Sequence, residues 1–540
     1  MSASADTAPL SAHAVREALR ARQEIALIDV REEDPFAQEH PLFAAQLSMS
    51  RLELDAPWRL PRRDVPVVVY DDGEGLAEPA LRRLRSLGYS RARLLDGGLD
   101  GWRRSGGELF RDVNVPSKAF GELVEHHRHT PSLSAPEVKA LLDAQADVVV
   151  LDARRFDEYQ TMSIPGGISV PGAELALRVR DLAPNPATRV IVNCAGRTRS
   201  IIGTQSLVNA GIPNPVAALR NGTIGWTLAG QALDHGASRR AGPASAGAQQ
   251  AARQAAQALA QRAGAHRLTA DRLPQLDLPG RTVYRYDVRS PEEFQRGHIA
   301  GFGSAPGGQL VQETDVFAPV RGARIVLADD DGVRAPMTAH WLAQMGWDVA
   351  WLDAVPPEHF QDTRPWPPQS APSVLPAAPA IGVAGLQAAL ARGDTLLIDL
   401  APSATHVKQH IAGAWWALRS QLPAALQRMA QAKDQPPGRV VFTCGDGLLA
   451  QHAAADLQAQ IDRPVLVLEG GNAAWRDSGG ALETGEAHLA SPRIDRYRRP
   501  YEGTDNPHAA MQAYLDWEFG LVAQLGRDAT HGFQVLATQG

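Results

Sequence analysis

The same order of features recurs four times along this chain, and a repeat of that period decides the architecture before any local propensity does. Each copy opens with a short apolar strand that ends in an acid: Ala26-Leu-Ile-Asp29-Val-Arg31, Val149-Val-Leu-Asp152-Ala-Arg154, Val283-Tyr-Arg-Tyr-Asp287-Val-Arg289 and Leu396-Leu-Ile-Asp399-Leu. A second strand follows: Pro66-Val-Val-Val-Tyr70, Arg189-Val-Ile-Val-Asn193, Arg324-Ile-Val-Leu-Ala328 and Arg439-Val-Val-Phe-Thr443. Next come a short loop and an apolar-periodic helix such as 80–88, then a third strand with a Gly-rich turn and a tryptophan: Gly97-Gly98 to Trp102, Gly222 to Trp226, Gly470-Gly471 to Trp475. The third copy keeps the strand at Val349–Leu352 and loses the glycines.

Short β-branched runs alternating with helical stretches predict βαβ units, hence parallel sheets covered on both faces and an α/β class. Each copy spans roughly 100 to 120 residues, enough for a core of its own. We place modules at residues 8–110, 130–236, 265–363 and 380–482. Residues 241–263, rich in Ala, Gln and Gly, read as a partly helical linker, and Pro365–Pro379, with six prolines, as an extended connector. Residues 486–540 form a C-terminal extension in which Met511, Tyr514, Leu515, Phe519 and Val522 have helical spacing, predicting an amphipathic helix that docks on the modules by simple packing.

Bulk properties exclude several classes. A hydrophobic fraction of 44% with 21% charged residues belongs to a globular protein. A net charge of −6 over 540 residues leaves no basic footprint for nucleic acid. No apolar run is long enough to span a membrane, and the first residues lack the basic and apolar regions of a secretory signal. The only two cysteines, Cys194 and Cys444, sit in equivalent places in two different copies, so they read as separate thiols in a reducing compartment. A cytoplasmic protein is expected.

Cys194 carries the sharpest chemical signal. It follows a buried-type strand, and Ala195, Gly196, Arg197, Thr198, Arg199 and Ser200 separate it from a helical run. A loop there turns backbone N–H groups inward at the positive end of a helix, an anion-binding arrangement. With two guanidinium groups added, the thiol pKa, near 8.5 when free, is expected to fall. Arg197 and Arg199 are also expected to hold the oxygens of an anionic donor.

These features together resemble the rhodanese homology domain: a strand ending in Asp-x-Arg, an Ile-Pro-Gly-like segment (Ser163-Ile-Pro-Gly here), and a strand leading into an active-site loop opened by Cys. A closing Gly-x-x-x-Trp turn completes the set. The resemblance covers almost the whole chain to about Gly480 and implies four tandem rhodanese-like modules plus the C-terminal helical extension. It implies a sulfurtransferase in which Cys194 takes sulfane sulfur from a donor such as thiosulfate as a persulfide, then passes it to cyanide or a thiol. Residues Ala195 to Ser200 would bind substrate, with Asp152 and Arg154 in support. That scheme needs no metal and no cofactor; its partners are small sulfur donors and acceptors, with a persulfide-donating protein as a further candidate, and neither nucleic acid nor membrane.

The other three loops differ. Asp71 and Asp329 stand where the nucleophile would fall, so the first and third modules read as non-catalytic. The cluster Asp329, Asp330, Asp331 reads as solvated loop acids before it reads as a cation site. Cys444-Gly-Asp-Gly partly resembles the loop of mercaptopyruvate sulfurtransferases, but Asp446 replaces a small hydroxyl residue and no arginine lies in the loop. Catalytic, secondary and inert readings of Cys444 stay open. Two other functions compete with sulfur transfer from a small donor. One is phosphatase or arsenate reductase chemistry, which needs a longer Cys-x5-Arg loop than the Cys-x4-Arg found here. The other is a scaffold that relays persulfide without turnover.

Overall fold

The computed structural model describes residues 8–367, 378–432, 437–503 and 505–537. Four parallel sheets follow the four repeats. In the second module the strands lie in the order Ser132–Leu133, Val216–Leu219, Arg189–Asn193, Val148–Asp152, Ile168–Ser169. The third and fourth modules repeat this five-stranded order. The first keeps four strands, and an isolated parallel bridge from Leu10 to Leu95 stands in for the fifth. Burial on both faces explains why the central strands are continuous apolar runs without alternation: Val67–Tyr70 and Thr395–Asp399 are buried at every position.

Register places the chemistry. The acid at the end of the first strand lies beside the last residue of the second strand in each module: Asp29 beside Tyr70, Asp152 beside Asn193, Asp287 beside Ala328 and Asp399 beside Thr443. In three modules this acid is buried in a pair with the arginine two residues on, at 2.6 Å for Asp29–Arg31, 2.7 Å for Asp152–Arg154 and 2.6 Å for Asp287–Arg289. The fourth module lacks that arginine, and His406 Nδ1 meets Asp399 at 2.8 Å instead. Every loop that opens at the next residue therefore starts from a pinned strand end.

The modules are fused rather than strung. Residues 241–263, expected to be a linker, contain the 17-residue helix Ala246–Arg262, started where the Ser245 side chain accepts from the Ala248 N–H. Its buried Ala252, Ala256 and Leu259 join one core with Leu175 and Val179 of the second module and Val333 and Met337 of the third. Alanine every fourth residue lets this helix lie close to both neighbours. Gly308 of the third module packs tightly on the second, since a Cβ there would stand 3.1 Å from the Gly172 backbone. Arg419 of the fourth module reaches Glu53 of the first at 2.7 Å.

Two regions escaped the sequence reading or were misjudged by it. Val115–Arg128, between the first two modules, is buried from Val115 to Glu122 and crosses Thr198–Asn209, where a Cβ on Gly121 would lie 3.0 Å from Thr198. The extension forms two helices, His508–Phe519 and Leu521–Asp528, broken at Gly520. Met511, Tyr514 and Leu515 face inward as the spacing predicts, but Phe519 is 55% exposed and Glu518 is fully buried. Among the described residues no helix is long and apolar enough to cross a membrane. The proline-rich connector lies mostly outside the described residues.

Candidate active site

Cys194 stands at the end of strand Arg189–Asn193, and Arg197 precedes the helix Thr198–Asn209. Close contact from the Gly-rich turn shapes the loop. The Cys194 carbonyl accepts from Thr223 N–H at 2.9 Å and the Ala195 carbonyl from Ile224 N–H at 3.0 Å and the Thr223 hydroxyl at 3.1 Å. Gly222 makes this approach possible: it has φ +54°, and a Cβ would fall 2.3 Å from the Cys194 oxygen. The fourth module repeats the close approach: Gly471 has φ +59°, and a Cβ there would fall 2.4 Å from the Cys444 oxygen. That is the physical meaning of the glycine before each Gly-x-x-x-Trp turn.

The thiol itself is buried, at 1% exposure. Burial pushes its pKa above the ordinary value, opposed by the Arg199 charge and by the Ser200 hydroxyl and N–H, while Glu518 adds to the rise. The expected fall in pKa is therefore overturned in the closed arrangement of the site. The helix end and the one near guanidinium act as anticipated, but a fully desolvated thiolate outweighs them.

The two arginines divide. Arg199 forms a bidentate pair with Glu158 at 2.7 and 2.9 Å; burial would raise that carboxyl, but Arg199 and Arg154 pull it down to about 2. Arg199 also borders a cavity of about 230 Å³ with Arg154, Gln312, Arg499 and Tyr501. Arg197 corrects the sequence expectation. Its guanidinium is buried against Glu122 at 2.7 and 2.9 Å, meets Glu125, and donates to Asn221 at 3.0 Å. A guanidinium so engaged holds the loop to helix Val115–Arg128 and has no fork left for a donor.

The remaining expected residues fall as follows. Gly196 lies under the C-terminal helix, where a Cβ would be 3.1 Å from Tyr514 and 3.4 Å from Glu518. Thr198 and Ser200 open the following helix, and the Ser200 hydroxyl donates to the Arg197 carbonyl at 2.8 Å. Asp152 and Arg154 sit behind the loop: Asn193 Nδ2 donates to Asp152 at 2.8 Å and Arg154 to the Met162 carbonyl at 2.6 Å. They fix the strand end, and Arg154 also lines the cavity that Arg199 borders. Lys118, Glu122, Tyr514 and Glu518 were not found from the sequence. The tail's helical spacing marked the face that carries Tyr514, whereas nothing local marked Glu122 as the partner of Arg197.

The other loops show what the backbone nest prefers. In the first module the Asp71 carboxylate accepts from the N–H groups of Leu76 at 2.5 Å and Ala77 at 3.0 Å. In the third, Asp329 accepts from Gly332 at 3.0 Å and Ala335 at 2.7 Å, and Asp331 from Val333 at 2.7 Å. These acids are buried, not solvated as expected; only Asp330 reaches outward, to Arg289 and Arg334 at 3.0 Å. Cys444 lies in the equivalent nest, its sulfur accepting from the Gly447 N–H at 3.2 Å. Burial raises its pKa against the pull of the Ala450, Gly447 and Leu449 N–H groups, and Asp446 adds to the rise. Burial acts against the Arg51 charge of the first module, but its pair with Asp55 at 3.1 Å, with smaller contributions from Cys444 and Asp446, more than compensates. Among the described residues no cluster of His, Cys, Asp and Glu could hold a metal ion.

A rhodanese-like domain model matches residues 11–105, 134–229, 280–354 and 383–478, two-thirds of the chain. The chain belongs to the rhodanese-like family. This rhodanese-like chain is similar along its length to a crystal structure described as a thiosulfate sulfurtransferase from Pseudomonas aeruginosa, with 64% identity, TM-score 0.95, and 98% of this chain and 100% of that one covered. It is 31% identical over 124 residues to a putative thiosulfate sulfurtransferase, SseB, of Mycobacterium tuberculosis, covering 21% of this chain and 43% of that protein. A putative sulfur carrier protein, YrkF, of Bacillus subtilis is 26% identical over 144 residues, covering 24% of this chain and 72% of that protein. The chain thus spans less than half the length of the first curated relatives it matches.

Gly222→Ala is expected to cost about 2 kcal/mol or more, because both φ and the Cys194 carbonyl forbid a Cβ. Gly211→Ala, also at positive φ (+64°) but with open space around it, should cost about 1 kcal/mol. Thermal or urea unfolding of the two variants checks the difference.

Proposed function

We propose that the chain is a sulfurtransferase that moves sulfane sulfur from a small anionic donor, thiosulfate being the type, through a persulfide on Cys194. The observation that carries this reading is the Cys194 loop: a thiol at a pinned strand end and the start of a helix, with Arg199 acting on it and a cavity on the other side of that arginine. The Cys194 thiolate attacks the outer sulfur of thiosulfate. A bond forms between the two sulfurs, the outer sulfur's bond to the sulfonate sulfur breaks, and sulfite leaves with the electron pair. Cyanide or a thiol then takes the outer sulfur and restores Cys194. Dividing the transfer into two displacements gives ping-pong kinetics. Loop N–H groups and Arg199 hold negative charge on the persulfide and on the donor oxygens.

The similarity to a thiosulfate sulfurtransferase over the whole chain supports the reaction class, and the sulfur carrier relative supports a donor or acceptor that is itself a sulfur-bearing protein. Both cysteines are free thiols, which fits a reducing cytoplasm. Asp71 and Asp329 fill their own nests, so the first and third modules act as scaffold in this reading. One observation favours a second site at Cys444: its sulfur accepts the Gly447 backbone N–H at 3.2 Å.

Cys194→Ser is expected to abolish thiosulfate:cyanide transfer, with Cys444→Ser retaining most of it; steady-state turnover of both variants checks this. Full activity in Cys194→Ser would move the reaction to Cys444. Absent turnover in the wild type, with sulfur accepted only from a protein persulfide, would favour a relay. The arginines should separate too. Arg199→Ala is expected to raise KM for thiosulfate by about 1 to 3 kcal/mol of lost charge-assisted contact. Arg197→Ala should instead lower stability by about 3 kcal/mol, because it leaves Glu122 buried without its partner. Kinetics paired with unfolding curves distinguish the two outcomes.

A further inference from the structure

The C-terminal extension does more than pack. Helix His508–Phe519 lies directly over the candidate loop, with Tyr514 and Glu518 closing on Gly196, and Cys194 beneath is 1% exposed. Tyr514 donates its hydroxyl to Glu518 Oε1 at 2.8 Å. The other carboxyl oxygen, Oε2, is the one nearest Gly196, is fully buried, and has no hydrogen-bond partner among the described residues. A buried carboxylate oxygen without a partner is costly when charged.

The groups around Glu518 offer it no counter-ion of its own. Helix Val115–Arg128 presents Lys118 and Glu122; Lys118 is bonded to Asp112 at 2.7 Å. The loop presents Cys194 and Arg197, and Arg197 is bonded to Glu122 and Glu125. Tyr514 comes from the same helix as Glu518, and Tyr501 lies next to Tyr514 at a ring separation of 5.3 Å. Burial, with Glu122 adding repulsion and Lys118 opposing, pushes the Glu518 carboxyl from 4.5 up to about 8.

Attachment of the helix is uneven. Met511, Tyr514 and Leu515 form a small satellite cluster with Ile224, Lys118 lies over the Tyr514 and Trp517 rings, and the partly buried Trp517, near the end of the helix, packs on the large core. After the break at Gly520, Leu521 and Leu525 are built into the large core of the first and third modules. The C-terminal end is anchored in the large core, and the face that carries Tyr514 and Glu518 rests on the loop and on Lys118 of helix Val115–Arg128.

We propose that helix His508–Phe519 is a lid over Cys194 that stays shut on a neutral Glu518 carboxyl and lifts when that carboxyl loses its proton. Its importance for function rests on Cys194 being the sulfur carrier, but its test does not. A docked carboxyl with a raised pKa stabilises the shut state at low pH. That stabilisation is lost steadily from the pKa of the exposed group, near 4.5, to that of the docked group, about 8, and changes no further above it. Over that window lid opening rises about tenfold per pH unit. The lid also accounts for the raised Cys194 pKa: lifting it returns water to the thiol and leaves the N–H groups and Arg199 to favour the thiolate.

The test is the rate of N-ethylmaleimide modification of each cysteine in the full chain, followed by peptide mass spectrometry between about pH 5.5 and 7.5. Thiol ionisation alone gives about a tenfold rise per unit, and ionisation combined with lid opening about a hundredfold. The wild type is expected to show the steeper dependence at Cys194 and the shallower one at Cys444. Glu518→Gln, which keeps the shape and cannot ionise, should bring Cys194 to the shallower dependence with Cys444 unchanged. Tyr514→Phe, which removes the donor to the docked carboxyl, should speed Cys194 modification several-fold at each pH. A tenfold dependence at Cys194 in the wild type overturns the proposal, as does a Glu518→Gln variant that keeps the hundredfold one. If Glu518→Gln loosens the whole fold, seen as a faster Cys444, the wild-type dependence decides alone. Modification needs no donor and no turnover, so a chain that fails to use thiosulfate would refute the proposed reaction and leave the lid standing.

Discussion

A cluster of backbone N–H groups at the start of a helix, placed by a parallel strand that ends one residue earlier, is the constraint from which the rest of this molecule follows. All four modules build it, and all four fill it with a group that can carry negative charge: Asp71, Cys194, Asp329 and Cys444. An aspartate fills the nest with a side chain that cannot carry sulfur, and its role ends there. A thiol satisfies it only once deprotonated, so the same geometry that closes two modules leaves two open to chemistry. The buried acid–arginine pairs behind the loops and the glycine turns in front of them serve to keep this nest in place.

Tandem duplication also lets modules complete one another. Arg419 of the fourth module is held by Glu53 of the first, and Glu122, on a helix between modules, fixes Arg197 of the second. Helix Ala246–Arg262 welds the second module to the third, and the C-terminal helices cross back over both the loop and the large core. A single module cut from this chain would expose its nest to water and lose the groups that tune it. The raised Cys194 pKa belongs to the assembled, closed molecule.

Periodicity made the repeated parts legible in the sequence. The strands, their terminal acids and the Cys194 loop follow from apolar runs, Asp-x-Arg spacing and a Gly-rich turn, because each is set by neighbours a few residues away. The sequence-distant contacts were not legible. Arg197 and Arg199 look alike as residue types two positions apart, yet one faces Glu122, 75 positions earlier, and the other Glu158, 41 earlier. Only folding decides which of them keeps access to a cavity. The same holds for Glu518, which sits on the inner face of a helix whose apolar spacing was readable but whose one buried acid was not. Asp329 and Asp331 misled for a related reason: acids in a loop read as solvated unless the backbone donors around them are known.

The account stands on Cys194 as the residue that carries sulfur. Incubating the intact protein with thiosulfate, removing excess donor, and mapping peptides by mass spectrometry tests that most directly. The account predicts one added sulfur atom on the peptide containing Cys194, lost on addition of cyanide. Added sulfur on the Cys444 peptide alone, with Cys194 unmodified, would contradict it.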